Sequence, residues 1–303
     1  MFTNIAVHKR MIHPIPPWEF FEPLIDLHVY NNSFGKDLTT KQTYSNLTTE
    51  MYDKYNGYCK LYTDGSVKNG KKGCGIIHDD QTFMYHLPDF TNIFSCEVIA
   101  IKKAIDHIIE NNIQKAIILT DSKSALDVIS NTTNKDPRII KIQSKLHQLN
   151  DRQYHTILAW LPFHQGLQGN EEVDLAAKKA LTEGTLTTNE QATPDEFKKV
   201  VNAYIWAKWN GNWMSSDSLL HQVRANVWEI PPKSSNRKIQ TIITRLRIGH
   251  TYITHNYLMS RETHTKCPKC NAPITVHHIL AECPLNTAPI HQVQRPNGKI
   301  PRA

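Results

Sequence analysis

Residues 115–120 read Lys-Ala-Ile-Ile-Leu-Thr, a run apolar at almost every position, and the residue that ends it is Asp121. A strand with no polar face must be covered on both sides, which places it inside a sheet flanked by helices rather than in a solvated meander. The surrounding pattern agrees. Residues 59–64, Cys-Lys-Leu-Tyr-Thr-Asp, read as another strand, and Gly70, Gly73 and Gly75 punctuate hairpins with strands near residues 74–78 and 82–87. Ser95 stands where it can cap a helix over residues 96–112, in which Val98, Ile101, Ile105, Ile108 and Ile109 repeat on one face. Helices over 122–130 and 137–150, a strand over 154–161 and a helix over 170–181 complete the order βββαβααβα. That order argues for the α/β class, with a mixed five-stranded sheet and helices on both faces.

Four acidic residues stand out by their positions in this order. Asp64 lies inside an apolar strand and Asp121 at the end of a buried one. Glu97 is at a helix start, and Asp174 is in the first turns of the last helix. A carboxylate in a buried strand is costly unless something neutralises it. If the first and fourth strands are neighbours, Asp64 and Asp121 converge. Carboxylates gathered on one rim repel one another unless a divalent cation sits between them, and an all-oxygen donor set selects Mg²⁺ or Mn²⁺ over softer metals.

Four segments carry a resemblance. Tyr62-Thr-Asp-Gly-Ser66, Cys96-Glu97-Val-Ile-Ala-Ile, Leu119-Thr-Asp-Ser-Lys-Ser-Ala-Leu126 and Trp160-Leu-Pro-Phe-His-Gln-Gly-Leu-Gln-Gly-Asn-Glu-Glu-Val-Asp174 resemble the type-1 ribonuclease H family. They occur in the family's order, each on the element the family requires; Thr-Asp-Gly-Ser alone makes ordinary turns, but the four together are specific. The resemblance implies a ribonuclease H-like fold over residues 58–182 and hydrolysis of the RNA strand of RNA–DNA hybrids. It implies that Asp64, Glu97, Asp121 and Asp174 hold two Mg²⁺ (or Mn²⁺) ions, about 3.5–4 Å apart as in other two-metal sites. It also implies that His164, on a loop, assists proton transfer or product departure. Phe163 stands where the family commonly has a glycine, which bears on the conformation of that loop. Asn170 matches a position near the substrate backbone and is equally placed to cap the last helix. Ser66 and Ser122 are placed either to touch phosphates or to satisfy turns.

Beyond Thr182 the composition changes. The whole chain has a formal charge of +7, but residues 184–303 hold 15 Lys and Arg against 7 Asp and Glu, and residues 1–183 the remaining 20 against 21. The basicity therefore belongs to an α-rich C-terminal extension, with helical periodicity over 195–213 and 238–248. There it can attract a phosphate backbone or simply keep a surface solvated. Within it, Cys267-Pro-Lys-Cys270, His278 and Cys283 give the spacing C-x₂-C-x₇-H-x₄-C. Three thiolates and one imidazole suit a small tetrahedral Zn²⁺ module over residues 267–283, with the adjacent His277 as an alternative ligand. Cys59, Cys74 and Cys96 stand apart and read as reduced core residues.

The stretch Thr244-Arg-Leu-Arg-Ile-Gly-His-Thr-Tyr-Ile-Thr-His-Asn-Tyr-Leu258 resembles the tail that follows ribonuclease H in polyproteins of insect-type non-LTR retrotransposons. The arm over residues 1–57, with His13-Pro-Ile-Pro-Pro-Trp18 and a short amphipathic helix near residues 39–55, resembles the segment that precedes it there. This resemblance implies a detached C-terminal portion of such an element, partnered by nucleic acid and by a reverse transcriptase supplied in trans. No apolar stretch approaches the roughly 20 residues of a membrane helix, and the N-terminus lacks the apolar run of a secretory signal. The expected location is intracellular, in nucleus or cytoplasm. The competing reading is a catalytically silent remnant that only binds nucleic acid.

Overall fold

Leu61, Ile117, Ile118, Leu119 and Leu158 are completely buried and lie on three adjacent strands at the centre of a mixed sheet. The computed structural model describes residues 5–9, 11, 13–16, 19, 22–33, 39–162, 168–187, 189–216, 226–228, 236–261, 263 and 266–284. In chain order, β1 (Ile25–Asp26), α1 (His28–Asn31) and α2 (Lys41–Lys54) come first. There follow β2 (Cys59–Lys68), β3 (Lys71–His78), β4 (Gln81–Leu87) and α3 (Ile93–Glu110). Then come β5 (Lys115–Thr120), α4 (Lys123–Ser130), α5 (Pro137–Asp151), β6 (His155–Trp160) and α6 (Gln168–Glu183). Past these lie β7 (Thr185–Leu186) and α7 (Pro194–Met214).

The sheet runs β1-β6-β5-β2-β3-β4-β7. β2, β3 and β4 form an antiparallel meander, while β5 pairs parallel to β2, and β6 parallel to β5. The five expected strands are all present. Among the described residues the count rises to seven, because two-residue pieces, β1 and β7, add parallel pairing to β6 and β4 at the two edges. The β1 piece is held from the side: Asp26 accepts from the His28 N–H (2.7 Å), the Lys54 ammonium (2.7 Å) and the Tyr55 hydroxyl (2.6 Å). Val29, Tyr44 and Met51 from this N-terminal stretch pack into the same core as the central strands.

Helices cover both faces, and two glycines locate them. Opposite residues on paired strands share a face, and neighbours along a strand point to opposite faces. Gly65 lies opposite Cys74, and Asp64 opposite Gly75. A Cβ at Gly65 would stand 2.8 Å from Cys96 Cβ on α3, whereas one at Gly75 would stand 2.9 Å from the Ala177 nitrogen on α6. So α3 packs on one face and α6 on the other, each close enough that any side chain at the facing glycine would push it away. Ile101, Ile105 and Ile108 on α3 are fully buried, each contributing about 1.5–3 kcal/mol of apolar burial.

Two expected caps are corrected. The α3 helix starts at Ile93, and Asn92, not Ser95, is its N-cap, accepting from the Ser95 N–H at 2.9 Å. Ser95 is already within the first turn, because Asn92 can present its side-chain oxygen to that amide while Ile93 and Phe94 enter the helix. Asn170 likewise lies within α6 rather than capping it.

The chain divides into two compact units, Met1–Val201 and Asn202–Ala303. The second holds the later part of α7, α8 (Arg237–Ile248), α9 (Tyr252–Ser260) and a cysteine-bearing turn ending in a π-helical piece, His278–Glu282. Gly249 ends α8 with φ +77, and a Thr251–Thr254 capping box opens α9. Among the described residues no helix is long and apolar enough to cross a membrane.

Candidate active site

The register of β2 against β5 pairs Thr63 with Thr120, so Asp64 and Asp121, each one residue further on, emerge side by side at the same end of the sheet. Glu97 joins them from the second turn of α3, which Gly65 allows to approach β2. One carboxylate oxygen from each of Asp64, Glu97 and Asp121 lies within 4.8 Å of the others. Asp121 is anchored through its backbone, where the Trp160 indole N–H donates to its carbonyl at 2.9 Å. Tyr30 of α1 stands edge-on to that indole, with ring centroids 5.3 Å apart.

Three converging carboxylates cannot all be ionised at low cost. Burial, followed by the charges of Asp121 and Asp174, pushes the Asp64 carboxyl up to about 7, against the opposing effect of the Gly65 N–H and Lys178. Burial, then Asp64 and Asp121, carry Glu97 well above the usual carboxylate range. The Glu97 Oε2 atom is buried and has no hydrogen-bond partner among the described residues. A donor set of hard oxygens, excess negative charge and an unsatisfied buried oxygen fits a divalent cation. Asp174 stands outside the group of three and pairs with Lys178 at 2.6 Å, although its charge still acts on Asp64.

A linkage consequence follows for the protein without divalent cation. A folded-state carboxyl near pKa 7 holds its proton more tightly than the same group unfolded near 3.8. Its contribution to stability is therefore present below about pH 4 and lost as pH rises towards 7. The loss is at most on the order of 4 kcal/mol. Thermal melts in magnesium-free buffer should show Tm falling across that window. Asp64→Asn should flatten the fall and raise Tm at neutral pH, and an unchanged profile in that variant would refute the assignment.

The other expected site residues are placed as follows. Ser66 lies on β2 two residues beyond Asp64 and so on the same strand face. Ser122 precedes α4, where its hydroxyl makes no cap hydrogen bond and lies 3.3 Å from the Ser124 hydroxyl. Asn170 is 5% exposed, and its side-chain amide donates to the Pro162 carbonyl at 3.2 Å. His164, with Phe163, lies outside the described residues.

Sequence reasoning missed one group. Glu196, on the first turn of α7, is 2% exposed. Its Oε1 accepts from the Asn92 N–H (3.0 Å) and the Ser95 hydroxyl (2.6 Å), and its Oε2 accepts from the N–H and hydroxyl of Thr193 (2.9 Å each). Arg138 donates to the same Ser95 oxygen and to Asp136. Burial pushes Glu196 up, but the bonds from Ser95, Thr193 and Asn92 outweigh it and hold the carboxyl below its usual range. A buried carboxylate thus sits at the positive end of the helix that carries Glu97.

Residues 56–182 match the RNase H family model. Over 115 residues, 37% of this chain, the sequence is 32% identical to the Pol polyprotein of Ovine maedi visna related virus (strain South Africa). The match spans 10% of that polyprotein's length. The matched residues include Asp64 on β2, Glu97 on α3, Asp121 directly after β5 and Asp174 on α6.

Outside the RNase H domain, the second unit brings Cys267, Cys270, His278 and Cys283 together, with one ligand atom from each within 4.8 Å of the rest. The turn is built on backbone bonds, with the Cys267 N–H donating to the Ala272 carbonyl (2.8 Å) and the Asn271 N–H to that of Cys267 (2.9 Å). Asn271 adopts φ +57 to close it. Cys267 and Cys283 sulfurs lie 3.9 Å apart, and His278 Nε2 lies 3.3 Å from the Cys270 sulfur. The backbone N–H of Cys270, then the His278 side chain and the Lys269 N–H, pull the Cys267 thiol down to about 6. His278 is buried, and its Nδ1 faces Glu282 at 3.6 Å, the outer carboxylate partner that metal-bound histidines usually have. His277 is instead exposed and pairs with Glu282 Oε1 at 3.0 Å, which leaves His278 as the histidine of this cluster.

Proposed function

We propose that the RNase H domain is an endonuclease that hydrolyses the RNA strand of RNA–DNA hybrids, and that the basic tail binds nucleic acid. The division of labour is a leading arm over 1–57, a catalytic part over 58–182 and a binding tail over 183–303. The convergence of Asp64, Glu97 and Asp121 around a buried, unsatisfied Glu97 oxygen carries this reading. Asp174 would complete the set from α6, to hold two Mg²⁺ or Mn²⁺ ions. Divalent ions held by these carboxylates would supply Lewis-acid chemistry for hydrolysis of the phosphodiester. The chain's own groups do the rest. Ser66 and Ser122 orient the nucleic-acid backbone, Asn170 acts on it indirectly through its bond to Pro162, and His164 handles the proton as product departs, leaving a 5′-phosphate and a 3′-hydroxyl. Selection of RNA rests on the 2′-hydroxyls across the hybrid's wide minor groove.

Cys267, Cys270, Cys283 and the Nε2 of His278 are proposed as the tetrahedral ligands of a structural Zn²⁺. The likeness to a stretch of a viral Pol polyprotein supports an origin in a retroelement polyprotein, read more finely as an insect-type non-LTR element whose reverse transcriptase acts in trans. The near-neutral charge of residues 1–183 supports the tail, or such a partner, as the source of affinity for the hybrid.

The deciding measurement incubates the full chain and Mg²⁺ or Mn²⁺ with labelled RNA–DNA hybrid, double-stranded RNA and double-stranded DNA. Cleavage confined to the RNA of the hybrid is expected. Failure to cut it would leave the silent nucleic-acid-binding remnant as the better reading.

A further inference from the structure

A contiguous patch of large apolar side chains left in water calls for an explanation, and the second unit displays three tryptophans that are 42–50% exposed: Trp206, Trp209 and Trp228. They are not scattered. Trp206 and Trp209 lie one turn apart on α7 and stack with ring centroids 5.1 Å apart and planes 26° from parallel. Trp228 lies 6.2 Å from Trp206 on its other neighbour contact, tilted by 44°. Trp206, in the middle, is the least exposed of the three, at 42% against 47% and 50%. The assembly is also fixed: the Val227 N–H donates to the Asn210 side-chain oxygen at 3.1 Å, and Val227 itself is 1% exposed. The result is a rigid row of indoles partly open to solvent.

The charge of the segment that carries this row decides what suits it. Residues 202–303 contain 13 Lys and Arg against 4 Asp and Glu. An aromatic row within a strongly basic segment is the arrangement that holds single strands. Bases stack on rings because every base has a π-face, while the cations attract the phosphates. A duplex keeps its base faces buried against one another and cannot use such a platform. From this geometry we propose that Trp206, Trp209 and Trp228 form a stacking platform for the unpaired bases of single-stranded RNA or DNA. The proposal rests on the reading of the tail as a nucleic-acid binder, and it adds which strand state the tail holds and by which side chains. For an enzyme that removes RNA from a hybrid, the strand flanking or released from the duplex is a ligand of that kind.

The test measures binding of the full chain to labelled oligo(U) and oligo(dT), and to a blunt duplex, over a range of salt. Trp206→Ala/Trp209→Ala should weaken binding to both oligonucleotides about tenfold to a hundredfold. The slope of log affinity against log salt should stay unchanged, since no phosphate contact is removed. Duplex affinity should not move, and Trp206→Phe/Trp209→Phe should restore most of the loss. Arg245→Glu/Arg247→Glu, by contrast, should flatten the salt slope. Wild-type single-strand affinity in the alanine variant, with the charge variant still impaired, overturns the platform and leaves the tail reading standing. Binding indifferent to both variants overturns both. An altered oligomeric state in the alanine variant at unchanged oligonucleotide affinity would assign the face to a protein instead.

Discussion

Asp121→Asn is expected to lower the rate of hybrid cleavage about a thousandfold, with little effect on folding. The substitution keeps the shape of the side chain and removes one of three carboxylates that lie within 4.8 Å of one another. A lost ligand forfeits several kcal/mol of transition-state charge stabilisation, and about 1.4 kcal/mol corresponds to each factor of ten. The backbone of Asp121 keeps its bond from Trp160, so the strand end should stay in place. Removing one of several mutually repelling charges should also relieve strain on Asp64 and Glu97, so the variant's Tm in magnesium-free buffer should not fall. Loss of activity with a retained or raised Tm is the expected pair of results. Equal cleavage by the variant and the parent would sink the catalytic assignment.

The second large effect concerns the Cys/His cluster. Cys267→Ser should reduce bound zinc from one per chain to near zero and melt the turn around it. Structural zinc contributes about 10–16 kcal/mol in small zinc modules at neutral pH, more than any single core side chain of this protein can. Residues 266–284 show only short backbone bonds and few buried side chains of their own, so the metal would supply most of their order. Metal analysis reads the first outcome, and amide exchange over 266–284 the second. Protons compete with the metal for the thiolates, so zinc retention should weaken as pH falls. Unchanged zinc content in the variant would remove the site.

The convergence of Asp64 and Asp121 was legible because it follows from strand register. A parallel pair that aligns Thr63 with Thr120 must bring the next residues together, and both of those are aspartates. Glu97 was legible as a helix-start acid, but the helix start itself was misplaced by three residues. Ser95 is a good cap by type, and so is Asn92. Choosing between them depends on whether Ile93 and Phe94 can be helical, which local sequence does not decide. Glu196 was invisible for a different reason. Its local partner, Thr193, makes with it the spacing of an ordinary helix-capping pair, whereas Asn92 and Ser95 lie 104 and 101 residues away and nothing local announces them. The two adjacent histidines could not be told apart by spacing either; burial of His278 and exposure of His277 distinguish them.

The two residues of β1 matter beyond their length. Without them, β6 would present an unpaired parallel edge whose backbone N–H at Leu158 now donates to the Leu24 carbonyl at 2.9 Å. Beside that edge, Asp26 is held by Lys54 and Tyr55. A bare edge of this kind invites a strand from a second molecule. The family match begins at residue 56, so a fragment cut at that boundary would keep Asp64, Glu97, Asp121 and Asp174 and lose the strip that seals the sheet. Such a fragment should self-associate in sedimentation, while one starting at residue 22 should not. The leading segment would then act as a built-in guard against aggregation.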